Sequence, residues 1–135
     1  MTKVSVKQLV EQANREIVTL GAREALSSQA RNEAILVDIR DIRELDRDGR
    51  IKGAVHAPRG MLEFWFDAQS PYHREIFAQG EKTYLLFCAS GWRSALAAKS
   101  LKDMGFDNIA HIAGGFGALK EQGAETEIKA PKTDG

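Results

Sequence analysis

The chain predicts an α/β domain with a mostly parallel sheet covered by helices on both faces. Three observations carry that prediction. The short apolar runs Ala34-Ile35-Leu36-Val37 and Tyr84-Leu85-Leu86-Phe87 have the pattern of strands buried on both sides. Helix-forming stretches alternate with such runs, the order of parallel strands joined by crossover helices. A length of 135 residues, 43% hydrophobic and 28% charged, with no repeat or linker, suits one domain with a real core. The expected domain spans 1–128 with its core over about 18–122, and 129–135 is read as a flexible polar tail.

Along the chain, Gln8 to Ala13 forms a short amphipathic helix with Ser5 as its cap. Ile17-Val18-Thr19 is β-rich and reads as a brief strand. Ala22 to Gln29 reads as a helix with Ala25 and Leu26 inward. Ala34 to Asp38 is a buried strand, and Asp41 to Leu45 a single helical turn ended by Asp48-Gly49. Ala54 to Ala57 is a strand stopped by Pro58. Met61 to Phe66 and His73 to Ala78 read as helices, broken apart by Ser70-Pro71. Thr83 to Phe87 is the clearest strand. Ser94 to Met104 is the clearest helix, closed by Gly105 where a left-handed cap belongs. Asn108 to Ile112 is a strand, Gly114-Gly115 a turn, and Phe116 to Gln122 a closing helix.

Nineteen basic residues balance nineteen acidic ones, so no global field points to nucleic acid or an anionic membrane. One cysteine excludes an internal disulfide and fits a reducing compartment. The start, Met1 to Lys7, lacks the apolar core of a signal peptide, and no run reaches transmembrane length. A cytoplasmic protein is expected. His56, His73 and His111 fall on three separate elements without ligand spacing, so no metal is expected. Nothing in the pattern orients a histidine toward the cysteine, which disfavours protease-type Cys–His catalysis.

The chemistry concentrates at Cys88. The strand over 83–87 runs into this thiol, and Ala89-Ser90-Gly91-Trp92-Arg93-Ser94 leads into the next helix. Such a crevice beyond the carboxyl ends of parallel strands is where ligands bind in open α/β sheets. Free helical N–H groups there favour a thiolate. A loop of small residues with Gly91 can turn its N–H groups to one point and cradle an anion, and the planar donor fork of Arg93 closes the ring. An isolated cysteine at a strand end would ordinarily be an inert small hydrophobe. The loop that follows favours a nucleophile.

Three segments in order resemble the rhodanese family of sulfurtransferases. Cys88-Ala89-Ser90-Gly91-Trp92-Arg93 is similar to its six-residue active-site loop. Val37-Asp38-Ile39-Arg40, with Glu44 and Gly49 to Val55 after it, is similar to its first signature, and Ala113 to Leu119 to its closing one. Arg50 stands where the family usually carries histidine, in an expected loop away from the cysteine. The resemblance implies a parallel five-stranded sheet and sulfur transfer through a Cys88 persulfide, with Arg93 assisting and Ala89, Ser90, Gly91 and Trp92 forming the pocket. It implies that Asp38, Arg40 and Glu44 are structural and that no cofactor is needed. A donor such as thiosulfate would supply sulfur, and cyanide, a small thiol or a protein thiol would remove it. Bulky Trp92 bears on substrate choice.

Arg59, just after a strand, either lends the crevice a second cation or stands solvated. Met61 to Phe66 either packs its aromatics on the sheet, with Leu62, Trp65 and Phe66 inward, or docks a partner. The competing functions are a rhodanese-fold binding or regulatory module, and a phosphatase or arsenate reductase. The last two place five residues between cysteine and arginine, and here there are four.

Overall fold

The computed structural model describes residues 3–128, so the tail expected over 129–135 lies outside the described residues. The helices are α1 (Val6–Glu16), α2 (Ala22–Ala30), α3 (Ile42–Asp48), α4 (Leu62–Phe66), α5 (Trp92–Asp103) and α6 (Gly115–Glu121). The strands are β1 (Val18–Leu20), β2 (Ala34–Asp38), β3 (Arg50–Ile51), β4 (Val55–His56), β5 (Thr83–Phe87), β6 (Ile109–Ile112) and β7 (Thr126–Glu127). Five strands form one parallel sheet in the order β1-β6-β5-β2-β4. β3 and β7 form a separate antiparallel ribbon.

Alternation along the central strand sorts the core. Tyr84, Leu86 and Cys88 face one layer with Phe66, Ala97, Ala98 and Leu101. Leu85 and Phe87 face the other, with Ala25, Phe116 and Leu119. Leu85, Leu86 and Phe87 are fully buried, each worth about 1.5–3 kcal/mol of transfer free energy. The strand that delivers Cys88 is therefore firmly held in the core. Asp38 pairs with Phe87 across the sheet, so β2 and β5 end level and the segments beyond them lie side by side.

Several local expectations hold, and several are corrected. Ser5 caps α1 through a reciprocal pair with Gln8. Helix α3 runs seven residues rather than one turn, because Asp41 and Glu44 form a second reciprocal cap. The helix expected over 73–78 is only a 3-10 turn, Glu75–Phe77. Too short to nucleate by itself, this segment is held by the Arg74 N–H on the Trp65 carbonyl and by Phe77 stacked on Phe66 at 4.5 Å. Leu62 and Phe66 are buried and Trp65 is half-buried, so the aromatic segment is largely core; Phe64 stands outside, edge-on to Tyr72. Arg50 sits in β3 rather than in a loop, its backbone paired with Glu127.

Candidate active site at the Cys88 loop

Cys88 is buried, with its sulfur under the loop that follows. The Gly91 N–H donates to Sγ at 3.1 Å. Gly91 adopts φ +127, a conformation open to glycine and strained for other residues, and it starts α5 without any side-chain cap. No side chain claims the first N–H groups of α5, and among them that of Ser94 acts on the sulfur. Burial pushes the thiol pKa up, but the hydroxyl and N–H of Ser94 and the N–H groups of Gly91 and Ser90 outweigh it. The net result holds Cys88 below its ordinary value.

The loop is braced from the amino end of α6. The Phe116 N–H donates to the Cys88 carbonyl at 2.8 Å. That approach requires Gly115, where a Cβ would stand 2.3 Å from the same carbonyl oxygen. The pair Gly114-Gly115 is therefore the cap and first residue of α6, pressed against the loop, and more than the turn the sequence suggested.

Arg93 is on the first turn of α5, and its guanidinium is bound by both oxygens of Glu44 at 2.8 and 2.9 Å. Glu44 chiefly, with the nearby Cys88 charge adding to it, holds the guanidinium firmly protonated. The same pairing holds the Glu44 carboxyl below its usual range. Glu44, read from sequence as structural, thus joins the site through Arg93. Trp92 is half exposed and, with Ser90 and Gly91, lines a shallow hollow reaching Asn14 and Thr19.

Asp38 and Arg40 are brought together but away from the sulfur. Arg40 grips both carboxylate oxygens at 2.8–3.1 Å, donates to the Gly49 carbonyl at 2.9 Å, and lies 4.0 Å over the Phe116 ring. Both side chains are buried. Arg59 binds Glu63 at 2.7 Å, and Glu63 also accepts from Ser100. This carboxylate claims the charge offered as a second cation.

Sequence reasoning missed Ser94 and His111. The Ser94 hydroxyl stands 3.6 Å from Sγ and 3.0 Å from His111 Nδ1, and both residues are buried. A histidine does therefore reach the cysteine, through one hydroxyl. The available signal was topological: β6 neighbours β5, and His111 alternates with Ile109 toward the α5 face. His56 and His73 instead bond the Arg40 and Trp65 carbonyls.

A parallel α/β sheet whose central strand ends in a thiol, cradled by backbone N–H groups and rimmed by an arginine, defines a class of cysteine-centred anion-loop domains. The comparisons specify it further. A family model for the rhodanese-like domain matches residues 21–122, and the chain belongs to that family. A tRNA sulfurtransferase of Psychromonas ingrahamii is 33% identical over 109 residues, 78% of this chain and 20% of that protein. The chain thus spans about a fifth of the curated relatives it matches. A protein of unknown function from Rhodopseudomonas palustris, described as a possible tyrosine phosphatase, superposes with TM-score 0.86 and 44% identity, covering 94% of this chain and 97% of that one. The polysulfide-sulfur transferase homodimer of Wolinella succinogenes superposes with TM-score 0.68 and 28% identity, over 95% and 90%.

Proposed function

We propose that this protein is a sulfurtransferase that carries sulfane sulfur on Cys88. The observation that carries the reading is the ring of N–H groups around a thiol held below its ordinary pKa. The Cys88 thiolate attacks the outer sulfur of a donor such as thiosulfate. A new S–S bond forms at Cys88, the donor S–S bond breaks, and sulfite leaves with the bonding pair. The loop amides, the α5 amino end and Arg93 stabilise the resulting persulfide anion. Cyanide or a thiolate then takes the outer sulfur and returns Cys88 as thiolate. The sulfurtransferase names of the P. ingrahamii and W. succinogenes proteins support the reaction class. Thiosulfate as donor is our own choice of substrate.

The phosphatase description of the R. palustris protein makes that the rival reading. Four residues separate Cys88 from Arg93, and a loop one residue shorter leaves a smaller ring, suited to a single sulfur atom over a tetrahedral phosphate.

The deciding experiment incubates the protein with thiosulfate alone, measures intact mass and counts sulfite. We expect a gain of one sulfur atom and about one equivalent of sulfite, since one nucleophile forms one covalent intermediate. Cyanide should then release thiocyanate, and Cys88→Ser should abolish every step. A serine variant that keeps a tenth of the turnover, or efficient turnover of aryl phosphates, would defeat the assignment.

A further inference from the structure

His111 is the one group near the thiol that the sulfur-transfer reading leaves unused. Its ring is buried in β6, with Nδ1 on the Ser94 hydroxyl and Nε2 buried without a partner among the described residues. The Ser94 hydroxyl has three neighbours: Sγ of Cys88 at 3.6 Å, the Gly91 carbonyl at 3.3 Å and Nδ1 at 3.0 Å. It owns a single proton to share among them.

The tautomer of His111 decides where that proton goes. If Nδ1 is bare, its buried lone pair claims the Ser94 proton. Ser94 can then only accept from Cys88, which favours the thiol. If Nδ1 carries the proton, His111 donates to the Ser94 oxygen. The hydroxyl proton is then free to point at the Gly91 carbonyl while Cys88 is a thiol, and to swing onto Sγ when it ionises. One hydroxyl rotation serves both states and the ring does not change. Orphaned buried N–H groups are rarer in proteins than under-satisfied acceptors, and protonation at Nδ1 leaves a lone pair, not a proton, at the empty Nε2 position.

We propose that His111 is a positioning residue, held as the Nδ1–H tautomer, that aims the Ser94 hydroxyl at the Cys88 sulfur as donor to the thiolate. Burial keeps the imidazole below its ordinary pKa and hence neutral. Asn14 from α1, Thr19 from β1 and Trp92 from α5 line the hollow beside the ring, and Leu86 of β5 stands opposite it. Among the described residues no other titratable side chain lines that hollow, and Cys88 is the titrating group linked to the ring, through Ser94. The proposal rests on Cys88 being the nucleophile, but its tests do not require sulfur transfer.

Nitrogen-15 NMR of labelled histidine should show His111 protonated at Nδ1 and neutral across the working pH range. A proton on Nε2 would overturn the assignment. Alkylation of Cys88 by iodoacetamide against pH supplies the coupling. Ser94→Ala should raise the midpoint by about one unit, a tenfold loss of thiolate at a fixed pH below it. His111→Leu should raise it by a similar amount, and adding it to Ser94→Ala should change nothing further. His111→Asn, whose amide N–H can reach the Nδ1 position, should restore most of the wild-type midpoint; it also serves if the leucine variant fails to fold. Additive shifts in the double variant would show that His111 does not act through Ser94.

Discussion

Two neighbouring strands of the sheet end level with each other and treat the same problem in opposite ways. β2 and β5 each run into a short loop and a helix, so each presents a helix amino end at the same edge. Beyond β2, the Asp41 carboxylate accepts from the first turn of α3 and Glu44 from the Asp41 N–H, and Asp38 locks Arg40 beneath them. The N–H groups of Arg40, Asp41, Arg43 and Glu44 all have acceptors from the chain itself. Beyond β5, glycine stands at the cap of α5 and offers its N–H groups no side chain. The acceptor left for them is sulfur. The difference leaves α5, of these two helices, as the one whose amino end stays open to an anion.

Breaking the closed end should cost stability first. Asp38→Ala leaves the Arg40 guanidinium buried with its bidentate partner gone, and only the Gly49 carbonyl and the Phe116 ring remain. Removing one partner of a buried pair costs about 3–5 kcal/mol. Urea unfolding should show that loss, whereas alkylation of the folded protein should find the Cys88 midpoint little changed. A loss below about 1 kcal/mol, the scale of an exposed pair, would mean the pair is not the lock described here.

The brace of the open end is the next largest. Gly115→Ala would place a methyl 2.3 Å from the Cys88 carbonyl at φ +55. Backbone strain and overpacking together suggest about 2–4 kcal/mol. Because the shift falls on the loop, sulfur transfer should drop well beyond the loss in stability. An alanine variant with wild-type melting and activity would show that α6 does not hold the loop.

These two ends were unequally legible in the sequence. Apolar runs located the five strands, and their alternation with helices predicted a mostly parallel sheet; the family resemblance made it five-stranded and parallel. Strand burial and capping are local signals. Cys88, its loop and Arg93 were visible for the same reason: they are contiguous. What escaped was long-range. Glu44 meets Arg93 across 49 positions, and Ser94 meets His111 across 17. No local propensity encodes such a meeting. The ribbon of β3 with β7 also went unseen, since two-residue strands carry no periodicity and depend on the chain returning. The lost helix at 73–78 is the converse case, where tertiary contacts to Trp65 and Phe66 overrode a helical composition.

The smallest effect should come from the link between the ends, Glu44 with Arg93. The Arg93 side chain is 43% exposed, so solvent screens the pair and Glu44→Gln should cost no more than about 1 kcal/mol. The pH dependence has a definite sign. The Glu44 carboxyl is held below its usual range, chiefly by Arg93. Its contribution is therefore complete above the unfolded carboxylate value of about 4.3 and is lost as pH falls through the lower folded value. Wild type and variant should differ at pH 7 and converge in acid. At the open end the same substitution removes a negative charge beside Arg93, leaving more positive potential for sulfur. The Cys88 midpoint should fall by about 0.3 pH unit, in line with a weak screened pair, and an anionic donor should show a lower KM. A midpoint that rises instead would mean that Glu44 serves the site by fixing where Arg93 points, and that its charge is the lesser matter.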